Sequence, residues 1–208
     1  MKIDGTLLLY LGDVVFAISG ALAAGRHRMD IIGFVLVGTI TGIGGGTIRD
    51  IILERPVFWA TNPFELILCL IASLITFFVI PNKISRVKAM TWFDAIGLSA
   101  FAVAGCHIAL SMGSPMIVAV FMGVTTATGG GIIRDILCGT KPFVVSGEIY
   151  VTAALLGALV YALLAQTTLP IQASQWIGFF TVLTIRGAGV IFDIRMGPPG
   201  EFLTIGKK

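Results

Sequence analysis

The sequence predicts an all-α membrane protein with seven transmembrane helices, built as two inverted three-helix repeats followed by a seventh helix. Three observations support this fold class. Of the 208 residues, 56% are hydrophobic and only 12% are charged, with a mean hydropathy of +0.98, whereas a soluble domain of this size needs more surface charge. Several apolar runs approach the ~20 residues that cross a bilayer. One glycine-rich motif also occurs twice.

The apolar runs define seven predicted spans, joined by short connections with turn residues such as "TNP", "IPNK", "GSP" and "TTLP". These connections leave no room for a second domain, so we expect one transmembrane domain over residues 1–208. Within it, the first repeat covers 6–80, the second covers 92–165 and the seventh helix covers 175–194. The predicted spans, in chain order, are Thr6–Ala24, Ile31–Leu53, Phe64–Ile80, Trp92–Met112, Pro115–Leu137, Tyr150–Ala165 and Gln175–Ile194.

The basic residues of the connections are distributed unevenly between the two sides of the membrane. The side where the first, third, fifth and seventh spans end carries nine, and the opposite side carries only Lys2 and Arg55. Basic residues favour the cytoplasmic side, so we expect an integral membrane protein with an outside N-terminus and a cytoplasmic C-terminus. The nine are Arg26, Arg28, Lys83, Arg86, Lys88, Lys141, Arg195, Lys207 and Lys208.

The repeated motif reads "GIGGGTIRD" at residues 42–50 and "ATGGGIIRD" at 127–135, 85 positions later. A related stretch opens with Asp13 before the first copy and with Asp94 before the second, so we align these aspartates. Each unit has three spans, an odd number, so the second unit must enter the membrane from the other side. The second and fifth spans should therefore cross near the bilayer midplane.

The two glycine triplets are interpreted as helix breaks that line a path. Three successive glycines cost ~1 kcal/mol each in helix propensity, more than close packing alone requires. We therefore expect a kink or an unwound turn, whereas Gly38, Gly42 and Gly123 are expected only to pack. Nearby hydroxyls, at Thr125 and Thr128 above all, are suitable ligands for a partly dehydrated alkali cation. The triplets are Gly44, Gly45, Gly46, Gly129, Gly130 and Gly131.

Ionisable residues inside the spans are costly, at ~3 kcal/mol near the bilayer centre, and so indicate either function or ion pairs that join helices. Arg49 and Asp50 lie about 100° apart on a helix, so we expect each to look to another helix for a partner. For Arg186, Asp13 or Asp50 are the candidate partners. Asp94 is interpreted as a helix-start residue and Asp193 as a structural partner of Arg195. The other intramembrane charges are Arg134 and Asp135.

Several classes of function are not expected. The formal net charge is +3 without a basic tract, so nucleic acid is not an expected partner. The chain lacks HExxH and GxSxG, and no strand precedes its glycines as a nucleotide site would require, so no enzyme is expected. The cysteines Cys69, Cys106 and Cys138 fall in apolar segments without metal-ligand spacing and are interpreted as buried hydrophobes, so no metal site is expected.

"GGGTIRDIILERPVFW" and "TGGGIIRDILCGTKPFVV", in a seven-span chain of this length, resemble the prokaryotic trimeric intracellular cation (TRIC) channels. That family overlaps bacterial membrane proteins labelled with a glycine transporter domain. The resemblance implies a homotrimer with one pore per subunit, conducting potassium before other monovalent cations such as sodium, and passing the glycine regions of the second and fifth spans. Membrane lipid is the other implied partner, and no cofactor beyond the transported ions is implied.

Two other functions stay open at the sequence level. Inverted repeats with broken helices also occur in secondary transporters, so a carrier of a small zwitterion such as glycine is the alternative. Helix ends inside the membrane would then hold the carboxylate and the ammonium group. A membrane scaffold without transport is the third hypothesis, although a purely structural bundle has no need of two glycine triplets.

Overall fold

The computed structural model describes residues 6–79, 83–196 and 204–205, and over these the protein is almost entirely α-helical. A short 3-10 turn covers Phe143–Val145, and two two-residue strands pair antiparallel, β1 at Ile194–Arg195 and β2 at Thr204–Ile205. The helices are α1 Thr6–Arg26, α2 Ile31–Ile52, α3 Phe58–Thr61, α4 Phe64–Val79, α5 Lys83–Ser111, α6 Met116–Leu137, α7 Val151–Leu164 and α8 Ile171–Phe192.

Within the described residues, five helices are long and apolar enough to cross a membrane: α1, α2, α5, α6 and α8. The apolar helices α4 and α7 have 16 and 14 residues. At ~1.5 Å per residue they are shorter than a ~30 Å hydrocarbon core, so a full crossing by these two stays a prediction. Ile80, Lys2, Lys207 and Lys208 lie outside the described residues, as do the side chains of Lys83 and Arg86.

Local sequence signals explain where the helices begin and end. The Asp30 carboxylate caps α2 by accepting the Gly33 N–H at 2.8 Å, and prolines precede α6 and α8. After α6, Gly139 adopts φ of +63° and the Thr140 N–H donates back to the Asp135 carbonyl at 2.8 Å. This left-handed residue ends the helix and satisfies one of its last carbonyls.

Four helices form the centre of the bundle. α1 packs on α5, α2 packs on α1 and α6, and α5 packs on α6. α4 flanks α1 and α2, α7 flanks α5 and α6, and α8 closes the bundle against α5 and α7. The outward faces carry large apolar side chains such as Ile32 and Ile117, 72% and 79% exposed, which is the surface a bilayer covers.

Positions 85 residues apart make matching contacts across this centre. Gly12 lies against the Phe101 ring, and Gly97 lies against the Phe16 ring. In both places a Cβ would overlap the aromatic ring, so glycine is what lets α1 and α5 approach. α1 and α5 are therefore related by a register of 85 residues.

This register corrects the sequence alignment of the two aspartates. With an offset of 85, Asp13 is level with Leu98, and Asp94 is level with Leu9. The alignment of Asp13 with Asp94 is therefore wrong by four residues, about one helical turn or ~6 Å along the axis. It failed because one shared residue type in an apolar helix is weaker evidence than a set of contacts.

Candidate functional site

α2 and α6 meet through their glycine triplets. Gly45 lies against the Thr126 carbonyl, and Gly130 lies against the Thr41 carbonyl, each so close that a Cβ would overlap the opposite backbone. Residue numbers rise on one helix as they fall on the other, so the helices are antiparallel. The predicted contact between the second and fifth spans is therefore present, and the segments that follow the triplets point to opposite ends of the bundle.

The first glycine of each triplet also makes matching contacts, here with an isoleucine side chain of the other helix. A Cβ on Gly44 would lie 2.9 Å from Ile133 Cδ1, and one on Gly129 would lie 3.1 Å from Ile48 Cδ1. Each helix thus contributes the same two elements, a glycine gap and an isoleucine that reaches toward the partner's gap.

The predicted unwound turn is wrong, whereas a kink at the triplets stays a prediction. Both triplets lie inside continuous α-helix, over Ile31–Ile52 and Met116–Leu137, so no backbone carbonyl is freed there. The glycines are explained by close approach, because any side chain at Gly45 or Gly130 would collide with backbone. The propensity cost of ~1 kcal/mol for each glycine is offset by packing between helices.

The threonine hydroxyls beside the triplets are mostly engaged in their own helices. Thr128 donates to the Val124 carbonyl at 2.9 Å, and Thr125 donates to the Phe121 carbonyl at 2.9 Å. Thr41 and Thr126 donate in the same way, one turn back. A hydroxyl so engaged keeps its oxygen lone pairs for a ligand, although its proton is committed.

The Arg49 cluster, defined as Arg49, Asp50, Arg55 and Phe58, follows the first triplet. Arg49 Nε and Nη2 both contact Asp50 Oδ1, at 2.8 and 2.7 Å, and the guanidinium lies 5.8 Å from the centre of the Phe58 ring. The other carboxylate oxygen accepts the Phe58 N–H at 2.9 Å. The expectation that neighbours cannot pair is wrong, because the long arginine stem spans the angle between them.

The Arg134 cluster, defined as Arg134, Asp135, Asp94, Phe143 and Ser19, repeats this arrangement after the second triplet. Arg134 Nε donates to Asp135 Oδ1 at 2.8 Å, and the Phe143 N–H donates to Asp135 Oδ2 at 3.2 Å. Arg134 Nη1 also donates to Asp94 Oδ1 at 2.6 Å and to Ser19 Oγ at 2.8 Å. Asp94 is thus a fully buried ion-pair partner inside α5, not a helix-start residue, because α5 already begins at Lys83.

Arg186 joins the Arg134 cluster from α8. Its Nη2 lies 2.6 Å from Glu148 Oε2, and its guanidinium lies over the rings of Phe143 and Tyr150, at 5.4 and 5.1 Å from their centres. The expected partners Asp13 and Asp50 are wrong. Glu148 precedes α7 in the connection from α6, outside every predicted span, so a search limited to intramembrane acids missed it.

Asp13 stands apart from these pairs. It is 1% exposed, and its Oδ2 has no hydrogen-bond partner among the described residues. The same holds for Oε2 of the half-buried Glu65 at the start of α4. Arg49 and Glu65 are the charged groups within electrostatic reach of Asp13.

The remaining residues named from the sequence are buried or make local contacts. Asp193 contacts Arg195 at 3.0 Å on the exposed end of α8, as expected. The three cysteines are free and buried, and burial raises the pKa of the Cys138 thiol beyond the end of α6. His107 Nδ1 lies 2.6 Å from the Tyr161 hydroxyl. No group of three metal-ligating side chains occurs within the described ranges.

The sequence model of the glycine transporter family matches this chain twice, over residues 6–81 and 91–166. The chain is 37% identical to the UPF0126 inner membrane protein YadS of Escherichia coli, over 89% of this chain and 91% of that protein. It is 34% identical to the UPF0126 membrane protein YvgT of Bacillus subtilis, over 91% and 94% of the two chains. With its apolar helices, these matches identify an integral membrane protein.

Solved structures share the fold. The TRIC trimeric intracellular cation channel orthologue from Rhodobacter sphaeroides superposes with a TM-score of 0.88 at 45% identity, covering 92% of this chain and all of that one. A prokaryotic TRIC channel gives 0.87 at 31% identity, covering 93% and 98%. A Caenorhabditis elegans TRIC channel gives 0.61 at 15% identity, which shows a shared fold alone.

Proposed function

The chain belongs to the glycine transporter family of membrane proteins, together with the bacterial TRIC channels, and we propose that it is a cation channel that prefers potassium. The single observation that carries this proposal is the 45% identity to a TRIC orthologue over nearly the whole chain. With a TM-score of 0.88, the two chains also share one helix arrangement.

The proposed channel is a homotrimer with one conduction path in each subunit. Each subunit consists of two inverted repeats and the additional helix α8, with the N-terminus outside and the C-terminus cytoplasmic. The double match of one family model and the reciprocal contacts 85 residues apart support the repeats. The unequal loop charges support the orientation. Surrounding lipid is the other partner of the trimer.

The proposed constriction lies at the crossing of α2 and α6. There the backbones of Gly45 and Gly130 touch the opposite helix, so an ion has no space between them in this conformation. If the path passes between the two helices at this level, conduction requires a shift of α2 relative to α6. Polar groups that border this level, including the hydroxyl of Thr128, would face the ion after such a shift.

Recording from purified protein in planar bilayers tests the channel. We expect unitary currents whose reversal potential follows the potassium gradient and is insensitive to chloride. Sodium in place of potassium should reduce the current without abolishing it. A protein that elutes as a folded trimer but gives no unitary current at any voltage would disprove the proposal.

A carrier of a small zwitterion is the second candidate, and the description of the matching family as a glycine transporter favours it. Proteoliposomes loaded with buffer alone separate the two functions. A carrier would accumulate labelled glycine with saturable kinetics and fixed ion stoichiometry, whereas a channel would pass potassium without coupled glycine uptake.

A further inference from the structure

We propose that Asp13 and Glu65 form a binding site for one monovalent cation beside the Arg49 cluster. The inference deepens the proposed function, because it assigns an ion site to a path whose ligands are otherwise undefined. It depends on three features of the described residues: two buried carboxylate oxygens without donors, an excess of negative charge around them, and the absence of such a pair in the other half of the chain.

Packing between α1 and α4 brings the two carboxylates together. Cys69 Sγ lies 3.5 Å from the Asp13 carbonyl, and Ser73 and Ala17 meet at the same glycine one turn further along, so the two helices run parallel. Glu65 is one turn before Cys69 on the same face of α4. Side chains on a helix lean toward its N-terminus, so both carboxylates lean the same way, toward the Arg49 end of the bundle.

The cations nearby contact Asp50 and not Asp13: Arg49 Nη1 and Asp13 Oδ2 both lack a hydrogen-bond partner among the described residues. Arg49 Nε and Nη2 contact Asp50, and the Arg49 guanidinium lies over the Phe58 ring. Arg55 Nε lies 3.5 Å from Asp50 Oδ1. Asp50 contacts both guanidinium groups, Asp13 lies near Arg49, and Glu65 lies near Asp13. Three carboxylates against two guanidinium groups leave an excess of one negative charge. A carboxylate buried without a partner is costly, and one monovalent cation would remove the excess.

In the second half the comparable carboxylate, Asp94, is paired through Oδ1, while its Oδ2 has no hydrogen-bond partner among the described residues. In the 85-residue register, Asp94 lies one turn on the N-terminal side of the position equivalent to Asp13, and there Arg134 reaches it at 2.6 Å. The position equivalent to Asp13 holds Leu98, and the position equivalent to Glu65 holds Tyr150. The two-carboxylate site therefore has no counterpart at the other end, and the proposed path has one such site in each subunit.

The ligand set favours a monovalent ion over a divalent one. Calcium takes about six to eight oxygen ligands and magnesium requires near-octahedral geometry. Here Asp13 and Glu65 supply two buried oxygens, and the excess charge is a single negative unit. Potassium and sodium tolerate sparse oxygen coordination completed by water.

Ion-dependent thermal stability of the purified protein tests the site without any measurement of transport. Potassium is titrated against N-methyl-D-glucamine at constant ionic strength, because an ion that binds the folded state raises the melting temperature. We expect a potassium-dependent rise in the wild type and its loss in Asp13→Asn. Glu54→Gln is the matched control, since Glu54 is an exposed carboxylate at the same end of α2 and its removal should leave the rise unchanged.

Bilayer recording of the same variants gives the second readout. Asp13→Asn should lower the unitary potassium conductance about three- to tenfold at low potassium, because a local charge concentrates the ion, and less at high potassium. Glu65→Gln should act in the same direction, and it serves as the test variant if Asp13→Asn does not fold.

The two readouts separate the inference from the channel proposal. If Asp13→Asn and Glu65→Gln keep the wild-type potassium dependence of both melting temperature and conductance, the site is disproved while the channel stands. If the wild type carries no current, but potassium stabilises the wild type and not Asp13→Asn, the site stands and the channel is disproved.

Discussion

The Arg49 cluster and the Arg134 cluster share one backbone frame but differ in how their charges are satisfied. In both, an arginine pairs with the next aspartate, whose second oxygen accepts the N–H of a phenylalanine eight residues later, at Phe58 or Phe143. Among the described residues, Arg134 also pairs with a second carboxylate, that of Asp94, whereas Arg49 does not. The difference shows that a displacement of one helical turn decides whether a buried carboxylate is paired or left available.

The additional helix makes the difference larger. Arg186 of α8 brings a second guanidinium and its partner Glu148 to the Arg134 cluster, and the Tyr150 hydroxyl lies 3.5 Å from Asp94. α8 follows the two matched segments, so the Arg49 cluster has no equivalent neighbour. The Arg134 end is thus the more constrained of the two, and the Arg49 end retains the free carboxylates.

Exchange of aspartate for the residue found at the equivalent position gives the largest expected contrast. Asp94→Leu removes a fully buried partner of Arg134 and should cost about 3–5 kcal/mol of unfolding free energy. Asp13→Leu removes a carboxylate without a bonded cation and should cost less than ~1 kcal/mol. Unfolding in mixed micelles measures both, and equal losses would contradict the asymmetry described above.

Alanine substitutions in the glycine triplets should destabilise the two halves equally, because the helix crossing is equivalent in both. Gly45→Ala and Gly130→Ala each force a methyl group against a backbone carbonyl, at Thr126 or Thr41. We expect each to cost about 2–3 kcal/mol, the upper part of the range for overpacking. Gly113→Ala is the control for loss of glycine without a clash, since nothing lies near its Cβ position, although its φ of +81° adds local strain. A larger effect in the control would refute the packing explanation.

Neutralising Glu148 should affect the Arg134 end alone. Glu148→Gln leaves Arg186 fully buried without a carboxylate, and because the Glu148 side chain is 28% exposed we expect a moderate cost of about 1–2 kcal/mol. Glu54→Gln, an exposed carboxylate on the other side of the molecule, is the matched control. Melting temperatures at low and high salt measure the effect, and a Glu148→Gln protein as stable as the control would mean that aromatic contacts suffice for Arg186.

The smallest expected effect concerns the end of α2. Glu54 adopts φ of +51°, where the equivalent residue after α6 is Gly139 with φ of +63°. A left-handed conformation costs a residue with a side chain ~1 kcal/mol or more, so Glu54→Gly should stabilise the protein by about 0.5–1 kcal/mol after the entropy of glycine is deducted. Gly139→Glu should have the opposite effect, and a shift of the same sign in both variants would contradict the explanation.

The sequence predicts the membrane class, the positions of the long helices and the contact between α2 and α6, because hydropathy and a duplicated motif are properties of the chain itself. It does not predict the partners of Arg49 and Arg186. The Arg49 partner depends on how the arginine side chain folds back along its own helix. The Arg186 partner is Glu148, a loop residue outside the apolar segments. The register of Asp13 and Asp94 also needed the contacts of Gly12 and Gly97, since a four-residue shift hardly alters an apolar pattern.

The glycine crossing of α2 and α6 also bears on how such a chain can change over time. Its closest contacts are between backbones, and the Ile48 and Ile133 side chains lie beside them at the gaps of Gly129 and Gly44. Substitutions on either side can therefore accumulate without moving the crossing, provided that the glycines remain. The same crossing thus accommodates one end where Asp94 pairs with Arg134 and another where Asp13 Oδ2 has no partner among the described residues.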